Sequence, residues 1–280
     1  MFSDVLLTVD FDRTLTAPDA TIPQRNIEAI RYFTENGGKF TVNTGRSTGT
    51  FWQYLETIPV NAPFLLYNGS AAWEKGKLTN CVTMDLDVWQ TMETVQKAFP
   101  DLNWEIQGAD RHYLINPQPE MVALYNALGW RYTIATWGQD VGPFLKFSAF
   151  GTPEQPTVSS LYQLTEADAL RFQQVEEELS RLFGDKISVF RAAPRIIDVH
   201  ARGVSKSISA RRLQKELGRK YLVCVGDGEN DIPMLEDADF AFCPCDAIVA
   251  HRFKNVCNCA EGAVADVIYK KIPEILALEP

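Results

Sequence analysis

A chain of 280 residues, 46% apolar and 22% charged, is long enough for one large or two moderate domains and has a globular composition. The formal net charge of -9, with no basic block to offset it, argues against nucleic acid or an anionic membrane as partner. An anionic substrate therefore needs a local cationic site. No apolar run reaches the roughly 20 residues of a membrane span. The first predicted strand starts at Val5, leaving no room for a signal or transit peptide, so a cytoplasmic protein with reduced cysteines is expected.

Val5-Leu6-Leu7-Thr8-Val9 reads as a strand buried on both faces, which belongs to a parallel sheet. It runs into Asp10-Phe11-Asp12-Arg13-Thr14, which places two aspartates at its carboxyl end. After a proline-containing loop, residues 24 to 36 have a helical apolar face ended by Gly37-Gly38. Residues 39 to 43 form a second strand leading to Thr44-Gly45-Arg46, and Ser47 caps a helix expected to reach about Thr57. Residues 64 to 67 form a third strand ending at Asn68-Gly69, and this alternation predicts an α/β parallel sheet. The stretch from Trp73 to Met84, interrupted by Lys75-Gly76-Lys77, reads as a hairpin.

The rhythm then changes. Helices are expected at about 86 to 99, 119 to 128 and 165 to 183, with strands at 104 to 107, 112 to 116, 144 to 150, 187 to 191 and 196 to 200. This mixture suggests an inserted α+β domain. The α/β pattern returns with a helix from about Ser205 to Leu217, the strand Tyr221-Leu222-Val223-Cys224-Val225, and Gly226-Asp227-Gly228-Glu229-Asn230-Asp231. Short strands at 240 to 242 and 255 to 257 and a helix at about 263 to 272 follow. The division expected is residues 1–83 and 202–280 as a discontinuous core, with residues 84–201 inserted.

Ligands of open parallel sheets bind outside the carboxyl ends of the strands, where strand order reverses. Four such ends carry polar residues here: Asp10 and Asp12, Thr44, Asn68, and Asp227 with Asp231. Each alone is equally a turn or a helix entry. Collected in one crevice, the carboxylates supply hard oxygens suited to Mg²⁺ and a substrate phosphate. The metal, the Thr44 hydroxyl, backbone amides near Gly45 and a lysine would turn that acidic field towards a phosphate. Lys206 is the candidate lysine. A cation is disfavoured in a first helical turn, so its position asks for an anion, although a solvated helix lysine is the alternative.

Asp10-Phe11-Asp12-Arg13-Thr14, Thr44-Gly45-Arg46, Lys206 and Gly226-Asp227-Gly228-Glu229-Asn230-Asp231 resemble, in order, the four signature motifs of the haloacid dehalogenase (HAD) superfamily of phosphohydrolases. The insertion resembles the type IIB cap of the Cof-like and sugar-phosphate phosphatases. The resemblance implies a Rossmann-like doubly wound core with an α+β cap, and a phosphatase acting on a small phosphorylated metabolite, with a sugar phosphate the class expected. It implies Asp10 as nucleophile and Asp12 as general acid and base. Mg²⁺ would be held by Asp10, the Asp12 backbone carbonyl and Asp227, with Asp231 binding or orienting its shell. Thr44, Gly45, Arg46, Asn68 and Lys206 would bind phosphate or substrate, and Asn230 would orient Lys206 or the phosphate. A phosphohexomutase using the same nucleophile and a silent binding protein on the same fold are the alternatives. A monomer and a homodimer are both open.

Arg13 stands where many relatives have glycine, and it either reaches an anionic group or lies on the surface. In the insertion Gln107, Arg111, His112, Asn116, Lys146 and Arg191 are polar candidates, and Trp89, Trp104, Tyr113, Trp130, Tyr132 and Trp137 are core or sugar-stacking aromatics. His200 is expected to be a packed histidine rather than a catalyst. Cys243, Cys245, Cys257 and Cys259 are read as small buried side chains, with a metal site as the alternative.

Overall fold

The structure, a computed structural model, describes residues 1–151 and 165–277. In chain order the first elements are β1 (Val5–Val9), α1 (Gln24–Glu35), β2 (Lys39–Val42), α2 (Thr48–Phe51), β3 (Phe64–Leu66), β4 (Ala71–Glu74) and β5 (Lys77–Thr79). Next come α3 (Val88–Ala98), β6 (Asn103–Gln107), β7 (His112–Ile115), α4 (Pro119–Ala127), β8 (Tyr132–Ala135), β9 (Lys146–Phe150), α5 (Glu166–Phe183), β10 (Ile187–Ala193) and β11 (Ile196–Ala201). The last are α6 (Lys206–Glu216), β12 (Tyr221–Val225), α7 (Ile232–Asp237), β13 (Phe240–Pro244), β14 (Lys254–Val256), α8 (Ala263–Asp266) and α9 (Ile272–Ala277).

The chain divides into two compact units, one comprising residues 1–44, 54–79 and 205–280 and the other residues 45–53 and 80–204. In the first, a five-stranded parallel sheet has the order β14-β13-β12-β1-β2. Strand order reverses between β1 and β12, where Val9 lies opposite Val225, so the segments starting at Asp10 and Gly226 leave the sheet side by side. β1 is buried along its whole length, as its unbroken aliphatic run requires. Leu6, Leu222 and Cys224 pack against Ala210 and Leu213 of α6 and Met234 and Leu235 of α7. The third expected strand meets this sheet in the parallel sense, but only through the Asn43–Leu65 bridge, and β3 otherwise forms an antiparallel sheet with β4 and β5. The hairpin between β4 and β5 turns at Lys75 and Gly76, both with positive φ.

The second unit holds a six-stranded sheet of order β10-β11-β9-β6-β7-β8, antiparallel except for the β7–β8 pair. β8 is absent from the sequence reading, since Tyr132-Thr133-Ile134-Ala135 alternates weakly between polar and apolar. One face carries Trp104, Ile106, Phe147, Ala149, Ile197 and Val199, packed with Met92 and Val95 of α3 and Phe172, Val175 and Leu179 of α5. Each such large side chain contributes about 1.5–3 kcal/mol.

Residues 45–53 join this second unit rather than the core expected for them. Within them α2 spans only Thr48–Phe51, not the longer helix predicted, because Thr-Gly-Thr has low helix propensity and tertiary contacts fix the backbone instead. Among the described residues, no helix is long and apolar enough to cross a membrane.

Candidate active site

Asp10 continues β1, its amide donating to Val225 O of β12 at 2.8 Å, and the turn Phe11–Leu15 follows, closed by Thr16 N donating to Phe11 O at 3.0 Å. Arg13 occupies that turn at φ +58°, a conformation that glycine adopts freely, and its side chain is exposed. Thr14, on the same turn, donates its hydroxyl to Asp227 Oδ1 at 3.1 Å, a role that the sequence reading missed.

On the neighbouring strand end, Asp231 brackets its own loop. Its Oδ2 accepts from the amides of Asp227 and Gly228, both at 3.0 Å. Gly226 is required for this closeness, since a Cβ there would lie 2.6 Å from Asp231 Cβ. The other oxygen, Oδ1, accepts from Lys206 Nζ at 2.6 Å, and the same ammonium donates to Asp10 Oδ1 at 2.5 Å. Lys206 is the first residue of α6, with Ser205 as N-cap accepting from Ile208 N. The anion that its unfavourable helical position demanded is thus a pair of carboxylates.

Asp10, Asp227 and Asp231 form, among the described residues, the one group of three or more potential metal ligands, with donor atoms within 4.8 Å of one another. All three are buried. Burial pushes the Asp10 carboxyl well above its ordinary range against the pull of Lys206, and Asp231, Asp227 and Asp12 push it further. Burial, followed by the charge of Asp231, raises Asp227 to about 7. Lys206 stays protonated: burial alone would lower it, but Asp10 and Asp231 raise it above its usual value. Asp12 is half-buried, and its carboxylate lies outside the trio.

Thr44 is buried at the end of the segment leaving β2, its amide donating to Leu65 O at 2.9 Å and its carbonyl accepting from Asn68 N at 3.0 Å. Thr44 and Asn68 are therefore neighbours through the backbone. Asn68 sits at φ +53° in a buried turn. Asn43, overlooked in the sequence, donates to Lys206 O at 2.9 Å and so ties β2 to the start of α6. Asn230 packs its carboxamide oxygen over Gly228, where a Cβ would lie 2.7 Å away, whereas the bonds holding Lys206 are those to Asp10 and Asp231. Gly45 and Arg46 fall in the second unit, where the Arg46 guanidinium donates to Thr50 O at 3.4 Å.

The polar candidates of the insertion separate into two groups. Arg111 pairs with Asp110 at the surface, Asn116 is exposed, and Arg191 bonds Glu176 at 2.6 Å. Gln107, His112 and Lys146 instead share the second face of the six-stranded sheet with Glu105, Ser148, Asp198 and His200, all nearly fully buried. Lys146 pairs with Asp198 at 2.8 Å, and Ser148 donates to the same carboxylate at 2.7 Å. Burial, aided by the Lys146 charge, holds His200 well below the usual histidine range, so it is a neutral packed residue against Phe190. Among the aromatics, Trp104 is core, Trp89 packs edge-on against Trp137, and Trp130 and Tyr132 pack on Tyr125.

Among the described residues, no cysteine belongs to a group of three or more potential metal ligands. Cys243 bonds Asn255 Oδ1 at 3.0 Å, Cys259 bonds Asp246 Oδ2 at 3.2 Å, and Cys245 is exposed. Burial raises the Cys243 and Cys259 thiols to about 11, so neither offers a ready thiolate.

Two curated relatives are similar along most of the chain. The Escherichia coli 5-amino-6-(5-phospho-D-ribitylamino)uracil phosphatase YbjI is 24% identical, covering 95% of this chain and 95% of its own length. Its Bacillus subtilis namesake YcsE is 23% identical over 83% of this chain and 80% of its own length. The solved structure of a HAD subclass IIB sugar phosphatase superposes with a TM-score of 0.75 at 17% identity, covering 98% of this chain and 99% of that one. The family profile described as haloacid dehalogenase-like hydrolase matches residues 7–266, and the chain belongs to that family.

Proposed function

We propose that this hydrolase is a Mg²⁺-dependent phosphatase that cleaves the phosphate ester of a small sugar or sugar-alcohol metabolite, with the first unit as catalytic core and the second as cap. The observation that carries this reading is the buried acidic trio of Asp10, Asp227 and Asp231 around Lys206, at the ends of adjacent parallel strands. A strand-end cluster of hard oxygens with elevated carboxyl pKa values suits a divalent cation. Asp10, the Asp12 carbonyl and Asp227 would hold it, and Asp231, with both oxygens engaged, orients the loop. Bound Mg²⁺ would neutralise phosphoryl charge beside these carboxylates.

An Asp10 carboxylate oxygen attacks phosphorus in line as the ester P–O bond breaks, and Asp12 gives its proton to the departing alcohol. Asp12, now ionised, takes a proton from water, whose oxygen attacks phosphorus and releases phosphate and the free Asp10 carboxylate. Lys206 and the Thr44 hydroxyl hold phosphoryl oxygens, while Asn68, Gly45 and Arg46 position the substrate. The curated relatives, named for a substrate whose phosphate sits on a ribityl chain, support a polyol-type leaving group.

Phosphate release by purified protein, across sugar phosphates, ribityl phosphates, nucleotides and phosphoserine, with Mg²⁺ or EDTA, tests the reading. The expected result is metal-dependent turnover with a sugar or sugar-alcohol preference, reduced by about 10³-fold or more in Asp10→Asn. Retained activity in that variant removes Asp10 as nucleophile.

A further inference from the structure

Residues 45–53 follow Thr44 directly but are fastened along the second unit. Gly45 O accepts from Lys146 Nζ at 2.9 Å, Thr48 donates its hydroxyl to Ala109 O at 2.5 Å, and Gly49 O accepts from Arg131 N at 3.1 Å. The Trp52 ring lies under the Arg131 guanidinium at 4.4 Å. Gly49 permits the closeness, because a Cβ there would meet Arg111 Cα and His112 Cδ2 at 3.1 Å.

At the centre of this strap is a three-membered chain. Ser47 Oγ bonds His112 Nε2, and His112 Nδ1 lies 2.8 Å from Glu105 Oε2. The Tyr125 hydroxyl donates to the same Glu105 oxygen and sits 2.9 Å from Nδ1. The connectivity is that of a hydrolase triad, hydroxyl to imidazole to carboxylate. Yet Ser47, His112 and Glu105 are 0%, 2% and 1% exposed, so the hydroxyl meets no substrate. Orientation remains as its use. Glu105, an acceptor when ionised, accepts from Nδ1–H, which leaves Nε2 to accept from Ser47. Ser47 in turn accepts from Thr50 N as the N-cap of α2. Every bond in the chain then has one direction, and the strap has one seat.

We propose that Ser47, His112 and Glu105 are positioning residues for Gly45 and Arg46 of the same strap, setting phosphate affinity by fixing the backbone on which those two residues stand. This rests on the role proposed above for Gly45 and Arg46. The Gly45 carbonyl is held by Lys146, and Arg46 directly precedes the Ser47 cap. Small displacements of a positioning group are costly in such sites.

The test measures inhibition by inorganic phosphate, KM and kcat for Ser47→Ala, Glu105→Gln, the double variant and Ser47→Thr, with thermal unfolding alongside. Ser47→Ala and Glu105→Gln are each expected to weaken phosphate binding and raise KM by about tenfold. The double variant should be no worse than the poorer single, since both cut one chain, and Ser47→Thr should recover wild-type affinity. Glu105→Gln preserves side-chain shape, so it reads the chain even where Ser47→Ala folds poorly. Phosphate affinity within twofold of wild type in both single variants, or additive losses in the double, overturns the proposal. The outcomes separate cleanly: wild-type turnover that Asp10→Asn abolishes upholds the catalytic reading whatever the strap variants do.

Discussion

Each unit buries a cluster of charged groups, and the two clusters are balanced differently. In the first, the buried carboxylates of Asp10, Asp227 and Asp231 face the single ammonium of Lys206. In the second, Asp198 is matched by Lys146, and Glu105 lies against His112. The electrostatic consequence is opposite in sign. Carboxyl groups of the first are pushed up, whereas Glu105 sits below its usual range: burial works to raise it, but its partnership with His112 and the bond from Tyr125 prevail. A cluster left short of positive charge is built to receive it from outside; a cluster closed on itself is built to hold a shape.

The sharpest way to break this contrast is to remove the cation from each. Lys206→Met should cost about 3–5 kcal/mol at neutral pH without metal, because it leaves buried like charges unpaired. It should also lower turnover by at least about 10³-fold. Urea unfolding in EDTA measures the first, and a loss under about 1 kcal/mol would mean that the trio already carries protons in place of charge. In the second unit, exchanging Lys146 and Asp198 together for apolar residues should cost less than Lys146→Met alone, since the joint change leaves no orphaned charge.

A smaller effect separates the clusters by pH. The folded pKa of Asp227, about 7, lies above its unfolded value near ~4. The folded metal-free protein therefore binds the extra proton in that window, and this contribution is present at low pH and lost as pH rises towards 7. His200 does the reverse. Its depressed folded pKa gives stability that is present above the usual histidine value near ~6.5 and lost as pH falls below it. Unfolding titrations should show Asp227→Asn reducing the first slope, the remainder belonging to Asp10, and leaving the second, with Mg²⁺ flattening only the first. A metal that flattened both would couple the clusters and end the distinction.

The smallest effect concerns the turn beside the acidic trio. Arg13→Gly should raise stability by about 0.5–1 kcal/mol, because φ +58° is strained for arginine and free for glycine. An unchanged or lower midpoint would show that the Arg13 side chain contributes more than its backbone costs.

The first cluster was legible in the sequence because its residues follow strands whose buried, aliphatic pattern is unambiguous. Asp10 follows Val5–Val9 and Asp227 comes just after Tyr221–Val225, and parallel pairing leaves both at the carboxyl end of adjacent strands. The second cluster was written as plainly, in another register. Glu105-Ile106-Gln107, Lys146-Phe147-Ser148 and Asp198-Val199-His200 alternate with period two, which marks a common polar face. Alternation alone does not say whether such a face meets water, so it does not single out Glu105, Ser148 and Asp198. Two further features depend on long-range contacts with no local signature: the attachment of β3 to the parallel sheet through a single bridge, and the capture of Gly45–Gln53 by the second unit. Ser47 is the helix cap that its place in the sequence suggests; its bond to His112 spans 65 residues and has no trace in the local sequence.

The strap also bears on how such a protein can be recombined. The chain passes from one unit to the other at 44/45, 53/54, 79/80 and 204/205, so neither unit is a single stretch of sequence. A graft that exchanged residues 80–204 for the corresponding insert of a relative would look like a clean cassette swap. It would nevertheless carry away Glu105, His112 and Lys146 while leaving Ser47 and Gly45 behind in the host. Inheritance of a new insert therefore requires that nine-residue piece, 45–53, to travel or to adapt with it. In this chain the smallest exchangeable module is two separate segments of sequence.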